Sequence, residues 1–150
     1  MRVVLQRVSM VSLSIENKVH SEIGKGLLIL LGIEEADDKA DADYLASKIH
    51  GMRIFHDENG KMNLSHVEIG GELMVVSQFT LHAATAKGNR PSFIRSARTE
   101  KAIPLYEYFI QTLHQLTQKD IKTDVFGADM QINLVNDGPV TIIVDSKEKN

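Results

Sequence analysis

The chain has 150 residues, of which 43% are hydrophobic and 25% are charged, and it contains no cysteine. A chain of this length and composition is expected to bury one compact core as a single domain, and without cysteine it can form no disulfide, cysteine-ligated metal site or cysteine nucleophile. Because its formal net charge is −3, the molecule as a whole does not attract polyanions, so any contact with nucleic acid has to be local.

The N-terminal part of the chain is predicted to form strands. Apolar and polar residues alternate from Val11 to Ile15, which indicates a strand buried on one face. A turn at Asn17-Lys18 permits a hairpin with a second strand from Val19 to Ile23. The continuous apolar run from Gly26 to Ile33 is typical of a central strand, and it is far shorter than the roughly 20 residues of a membrane span. The N-terminus also lacks a signal-peptide pattern, so we expect a cytoplasmic protein without membrane association.

A helix and a further strand are predicted next. The helix follows Asp37 or Asp38, either of which could cap it, and its apolar residues recur at spacings of three and four. These apolar residues are Ala42, Leu45, Ile49 and Met52. A strand is predicted from Glu72 to Phe79. The polar loop that follows it, residues 82–98, is long for a compact domain, which indicates a functional role.

The C-terminal part is predicted to contain a second helix and three strands. The helix has an apolar stripe, with Pro104 in its first turn or separating a short preceding turn. The members of the stripe are Ala102, Leu105, Phe109, Leu113 and Leu116. The strands are predicted over residues 123–126, 130–135 and 140–145, and residues 146–150 are expected to form a solvated tail.

One polar segment that could carry chemistry is Ser77-Gln78-Phe79-Thr80-Leu81, where an apolar strand ends in two hydroxyls, an amide and an aromatic ring. From the spacing alone, the same residues could serve only as core and turn residues. A serine or threonine nucleophile needs a base, and the single candidate close in sequence is His82, whose direction the sequence leaves open.

Two further features are candidates for binding. Asn136-Asp137-Gly138-Pro139-Val140-Thr141 is predicted to be a turn between two strands; if its Gly-Pro bond were cis, two successive carbonyls would point in similar directions and could receive an ammonium group. A basic stretch within residues 87–101 is either a solvated face or a local site for a phosphate backbone. Its cations are Lys87, Arg90, Arg95, Arg98 and Lys101.

No motif indicates a metal or a nucleotide cofactor. The six histidines form no HExxH pattern and no pair four residues apart, and the glycine-rich phosphate-binding and GxSxG patterns are missing. We therefore predict that the protein uses neither metal nor cofactor.

Taken together, the two polar segments resemble the two signature motifs of the D-aminoacyl-tRNA deacylases, also called D-tyrosyl-tRNA deacylases. They occur in the same order and about sixty residues apart. The total length and three further segments are also similar to that family. These segments are Met1-Arg2-Val3-Val4-Leu5-Gln6-Arg7-Val8, Lys87-Gly88-Asn89-Arg90-Pro91-Ser92-Phe93 and Phe126-Gly127-Ala128-Asp129-Met130.

The resemblance implies an α/β fold with three layers, β/β/α, and mixed sheets, in a homodimer whose active sites lie at the subunit interface. It implies hydrolysis of the ester that joins a D-amino acid to the 3′ end of tRNA. Glycyl-tRNA, including glycine mischarged on tRNA-Ala, is an implied second substrate, and no DNA partner is expected. A cis Gly138-Pro139 unit is implied to enter the partner subunit's site, where its carbonyls meet the substrate α-ammonium and its backbone collides with an L side chain.

The resemblance also implies roles for individual residues. Ser77, Gln78 and Thr80 are expected to surround the scissile ester, with main-chain N–H groups there to stabilise an oxyanion. Thr80 is either the nucleophile or a positioning group for a reaction assisted by the terminal ribose 2′-hydroxyl, and its lack of a base favours the second. The resemblance gives His82 no role. Substrate binding is expected of Phe79, Met130, Arg7, Gly138 and Pro139. The positive charge of the basic stretch separately predicts tRNA binding by Lys87, Arg90 and Arg95.

Two other classes of protein remain open. A non-catalytic dimeric tRNA-binding module would explain the basic loop and would bind tRNA without turnover. A hydrolase of small D-peptides or esters would need no basic loop and would act on substrates that lack tRNA.

Overall fold

A mixed six-stranded sheet, a two-stranded sheet and two α-helices make up the computed structural model, which describes residues 1–150. In chain order the elements are β1 (Arg2–Ile15), β2 (Lys18–Ile23), β3 (Gly26–Gly32), α1 (Lys39–Gly51), β4 (Phe55–His56), β5 (Met62–Leu64), β6 (Glu72–Ser77), a 3₁₀ helix (Phe79–His82), α2 (Thr99–Thr117), β7 (Ile121–Thr123) and β8 (Met130–Asp145).

Strand β1 organises the large sheet because it pairs along both edges. It is antiparallel to β8 over its whole length, to β3 over its first half and to β2 over its second half. Strand β3 then pairs in parallel with β6, and β6 with β7. The prediction of a central strand after Gly26 is confirmed, since β3 has a neighbour on each edge and is almost entirely buried.

Two apolar cores lie on opposite faces of β3 and β6, because side chains alternate between faces along a strand. Leu27 and Leu73 belong to the larger core, which both helices cover. Leu28 and Met74 belong to the smaller core, which also contains residues of β2 and of the second half of β1. The structure therefore shows one α/β domain with a mixed sheet.

Both helices begin near their predicted positions. Asp38 caps α1 by accepting hydrogen bonds from the N–H groups of Ala40 and Asp41, whereas Asp37 pairs with the α-amino group of Met1. Helix α2 begins at Thr99, so Pro104 lies in its second turn and not in its first. Proline has no N–H to donate to the preceding turn. The helix tolerates the loss of this hydrogen bond because burial of its continuous apolar face stabilises it.

The predicted turn at residues 136–141 is wrong. Both halves of β8 pair with the same strand and run in the same direction, with Met130 opposite Ile15 and Asp145 opposite Arg2. Residues 137–140 instead bulge out of one continuous strand, where the pairing register with β1 shifts. The predicted solvated tail is also partly wrong, since Ser146 is buried and its hydroxyl accepts a hydrogen bond from the Met1 amino group at 2.9 Å.

His66 is fully buried, and neither of its ring nitrogens has a hydrogen-bond partner. Burial lowers the pKa of His66 from 6.5 to about 4, with smaller contributions from His50 and Lys119. Between these two pH values the unfolded chain takes up a proton here and the folded chain does not. The free energy of unfolding should therefore fall as the pH drops through this window, by up to about 3 kcal/mol.

Urea unfolding above and below this window measures the effect. The matched variant is His66→Leu, which keeps the apolar volume and removes the titrating ring. It should lose less stability on acidification, and an equal loss in the two proteins would contradict the assignment to His66.

Candidate active site

A cavity of about 310 Å³ lies between the end of β6 and the start of β8. Ser77, Gln78 and Phe79 contribute to its wall, and so do Phe126 and Met130. Most of the remaining lining is apolar. An apolar cavity with a few convergent polar groups is the usual form of a small-molecule site. The structure thus brings Ser77, Gln78, Phe79 and Met130 to one cavity, whose wall does not include Thr80.

A buried carboxylate holds the end of β6. Asp124 Oδ2 accepts hydrogen bonds from the Ser77 N–H at 2.9 Å and the Ser77 hydroxyl at 2.6 Å, and Asp124 Oδ1 accepts one from the Tyr106 hydroxyl. Burial and the Asp124 carboxylate raise the pKa of Tyr106, so its phenol remains a neutral donor. The Ser77 hydroxyl therefore donates its hydrogen bond to a carboxylate of the same chain, and this network joins β6 to α2.

The 3₁₀ helix that follows leaves two main-chain donors free. The Gln78 N–H bonds to the Leu31 carbonyl at 2.8 Å, but no hydrogen bond uses the N–H groups of Phe79 or Thr80, which begin the helix. Gln78 Nε2 donates to Thr80 Oγ1 at 2.7 Å, and no basic group contacts that hydroxyl through a hydrogen bond. This arrangement can stabilise negative charge on an ester oxygen, and it contains no base that would activate Thr80.

The second polar segment is exposed and firmly supported. Arg7 is 3% exposed; its Nε donates to the Asp137 carbonyl at 3.0 Å and its Nη1 to the Ile54 carbonyl at 2.8 Å. Gly138 and Pro139 are exposed, and the peptide bond between them is cis. Neither residue lines the cavity near Ser77. Within one chain, the structure brings Arg7 to this segment and keeps the two polar segments apart.

Four cations of the basic stretch lie in the loop between the 3₁₀ helix and α2, and Lys101 lies in the first turn of α2. Lys87 and Arg90 are exposed and form no ion pair, whereas Arg95 Nη2 bonds to Glu34 Oε2 at 2.7 Å. The ring of His82 is buried beside the same carboxylate and makes no hydrogen bond with Thr80. No group of three or more His, Asp or Glu side chains is arranged to hold a metal ion.

Sequence reasoning missed two residues of this region, Asp124 and Glu34. Asp124 falls within a segment predicted as a plain strand, and Glu34 lies among acids that precede α1, where helix capping accounts for carboxylates. Neither belongs to a recognisable motif. Their importance becomes visible only through their partners, Ser77 and Arg95, which are distant in the sequence.

Comparisons with known proteins agree over nearly the whole chain. A family model described as D-Tyr-tRNA(Tyr) deacylase matches residues 4–145. Curated D-aminoacyl-tRNA deacylases of Bacteroides thetaiotaomicron and Phocaeicola vulgatus are 56% and 57% identical over 149 residues, which is 99% of this chain and 99% of each relative.

Solved structures share the fold. One described as "c-Myc DNA Unwinding Element Binding Protein" has a TM-score of 0.92 and 38% identity, over 97% of this chain and 98% of that one. A probable eukaryotic D-amino acid tRNA deacylase has a TM-score of 0.83 over 96% of this chain and 98% of that one, and at 16% identity it supports the fold alone. The resemblance stated from the two motifs and the prediction of a deacylase enzyme are confirmed by the family model and the curated relatives: the chain belongs to the D-Tyr-tRNA(Tyr) deacylase family.

Proposed function

We propose that this protein hydrolyses the ester bond of D-aminoacyl-tRNA and releases the D-amino acid and free tRNA. The observation that carries the proposal is the cavity beside Ser77, Gln78 and Phe79, which has free main-chain donors at its edge. Relatives more than 50% identical over 99% of the chain carry the name of this activity, which supports the same reaction here.

In the proposed reaction, water attacks the ester carbonyl carbon and the bond to the ribose 3′ oxygen breaks. The N–H groups of Phe79 and Thr80 stabilise the oxyanion, and Gln78 and Thr80 position the ester. The neighbouring 2′-hydroxyl of the terminal ribose assists the proton transfer. The absence of a base at Thr80 supports substrate assistance over a covalent mechanism.

If Thr80 only positions the ester, Thr80→Ala should slow hydrolysis of D-Tyr-tRNA by about tenfold, the effect of one lost hydrogen bond. Acid-quenched reactions of the unaltered protein should contain no acyl-Thr80 species by mass spectrometry. A trapped acyl-Thr80, or complete loss of turnover in a folded Thr80→Ala variant, would contradict this role.

We further propose that the active form is a homodimer in which Gly138-Pro139 of one subunit enters the cavity of the other. Its carbonyls receive the substrate α-ammonium and its backbone excludes L side chains. Glycine has no side chain to exclude, so glycyl-tRNA, including glycine on tRNA-Ala, is a second substrate. Three features support this arrangement: the exposed segment is held by Arg7, it lies away from its own cavity, and β8 pairs only with β1 and exposes Val135 and Ile143.

The basic loop is proposed to bind tRNA phosphate through Lys87, Arg90 and Arg95. Lys87 and Arg90 form no ion pair, so replacing both by Gln should weaken tRNA binding and reduce the dependence of log K on log salt by about one per cation removed. Fluorescence titration of labelled tRNA at several salt concentrations measures the slope. Lys18→Gln, at an exposed position of β2 outside the basic loop, serves as the control, and an unchanged slope in the double variant would contradict the assignment.

The decisive experiment is deacylation of D-Tyr-tRNA, L-Tyr-tRNA and glycyl-tRNA by the purified protein. Hydrolysis of the D and glycyl esters with the L ester spared is the expected result. We propose that the protein acts in the cytoplasm, because its proposed substrate is aminoacyl-tRNA. Neither α-helix is long and apolar enough to cross a membrane.

A second candidate function is a non-catalytic dimeric tRNA-binding module; the description of one 38% identical structure as a DNA unwinding element binding protein supports nucleic acid as a ligand. Binding of tRNA without turnover of any ester would support that function and reject the deacylase. Hydrolysis of D-tyrosine methyl ester at the same rate as D-Tyr-tRNA would instead indicate a hydrolase of small esters.

A further inference from the structure

His82 and Arg95 share one buried carboxylate. Glu34 Oε2 lies 2.7 Å from Arg95 Nη2 and 3.1 Å from His82 Nδ1. The pair with Arg95 is a hydrogen bond, whereas His82 is not aligned for one, and both of its ring nitrogens lack a partner although the residue is only 3% exposed. Arg95 is the accessible member, with 61% of its side chain exposed.

These three residues connect the candidate active site to the basic loop. His82 ends the 3₁₀ helix that begins with Phe79 and Thr80, and Glu34 follows β3. The loop that carries Arg95 is fixed to the same place, because the Glu35 N–H donates to the Arg95 carbonyl at 3.0 Å. If Glu34 exchanges Arg95 for His82 as its partner, the exchange therefore affects both the basic loop and the 3₁₀ helix.

The other charged groups around this cluster already have partners. Arg2 Nη1 donates to the carbonyl of Leu81, the residue before His82, and Arg2 Nε is paired with Asp145. Asp37 Oδ2 accepts a hydrogen bond from the Glu34 N–H, and its Oδ1 is paired with the Met1 amino group. Glu35 Oε2 accepts a hydrogen bond from the Arg98 N–H, and Lys101 Nζ donates to the Glu35 carbonyl. Both ring nitrogens of His82, by contrast, lack a hydrogen-bond partner.

We propose that His82 takes up a proton when tRNA binds, because a phosphate of the RNA draws Arg95 away from Glu34. Glu34 is then left as a buried carboxylate without a cation, which is strongly unfavourable. A proton from solvent on His82 Nδ1 gives Glu34 a new cationic partner, since this nitrogen already lies 3.1 Å from Glu34 Oε2. The inference rests on the proposed function, in that it takes tRNA as the ligand.

The new ion pair would fix the last residue of the 3₁₀ helix to Glu34 only when tRNA is bound. His82 is thus a positioning residue that acts through the helix carrying Phe79 and Thr80, and it does not touch the ester. By linkage, tRNA binding should strengthen as the pH falls, and protonation and binding should favour each other equally.

Isothermal titration calorimetry of uncharged tRNA tests the inference without any variant. Titrations at neutral pH in two buffers of different ionisation enthalpy count the protons exchanged on binding. We expect net uptake of a fraction of one proton by the unaltered protein. We also expect roughly three- to tenfold tighter tRNA binding near pH 6 than near pH 8.

Two variants assign the proton to this cluster. His82→Gln and Glu34→Gln should both abolish this proton uptake and make tRNA affinity nearly independent of pH. The matched control is His56→Gln, at an exposed histidine of β4, and it should behave like the unaltered protein. If Glu34→Gln fails to fold, His82→Gln and the proton count of the unaltered protein are sufficient.

The outcomes separate the inference from the proposed function. Binding of tRNA with no proton uptake, or with the same uptake in His82→Gln, overturns the role of His82 and leaves the deacylase proposal intact. Absence of tRNA binding overturns this inference, whereas the deacylase proposal is decided by the deacylation assay. Proton uptake that disappears in His82→Gln and persists in His56→Gln supports the inference.

Discussion

Replacement of Gly138 by alanine is expected to slow hydrolysis of D-Tyr-tRNA by about 100-fold, the cost typical of a displacement near 1 Å at a reacting centre. Gly138 has a φ of +132°, and a Cβ built there lies 2.9 Å from Arg7 Nη2 and 2.9 Å from Val140 Cγ2. Since Arg7 is buried and holds the Asp137 carbonyl, the exposed segment has to move away from it.

Single-turnover deacylation of D-Tyr-tRNA measures this effect, and circular dichroism checks that the variant is folded. Gly60→Ala is the matched control, because Gly60 also has a positive φ, of +73°, and a Cβ there meets nothing within 4 Å. Both variants introduce a methyl group at a positive φ, a conformation that alanine rarely adopts, and only Gly138→Ala also brings that methyl group against other atoms. An unchanged rate in a folded Gly138→Ala protein would show that Gly138-Pro139 is not part of the active site.

The second large effect is expected from Asp124→Asn. The carboxylate accepts three hydrogen bonds from Ser77 and Tyr106, and an amide can accept at only one of its two terminal atoms. At least one buried donor then faces an NH₂ group. The variant should lose about 2–4 kcal/mol of unfolding free energy. Its kcat for D-Tyr-tRNA should also fall, because Ser77 and the adjoining Gln78 lose their anchor.

Urea unfolding and steady-state deacylation measure the two effects of Asp124→Asn. Tyr106→Phe removes one of the three donors and should cost about 1 kcal/mol. Asp120→Asn changes an acid of the same region that is 83% exposed and should be nearly neutral. A kcat equal to that of the unaltered protein in a folded Asp124→Asn variant would show that Asp124 does not position the site.

Local patterns predicted much of the fold. The apolar run after Gly26 indicated the central strand, and the spacing of Ala42, Leu45 and Ile49 indicated α1, because burial on one face imposes a period on the sequence. The pairing of strands that are distant in the sequence could not be predicted from such local patterns. Residues 130–145 read as two strands with a turn, since nothing local shows that both halves pair with β1.

The candidate site divides in the same way. The two polar segments carry the resemblance to the family, so the sequence by itself determined which reaction to consider and which residues to examine, because both segments are contiguous in the chain. The tertiary structure alone brought Ser77 to Asp124 and placed Glu34 between His82 and Arg95. The role of a buried carboxylate depends on its hydrogen-bond and ion-pair partners. When those partners are distant in the sequence, the residues adjacent to the carboxylate give no indication of them.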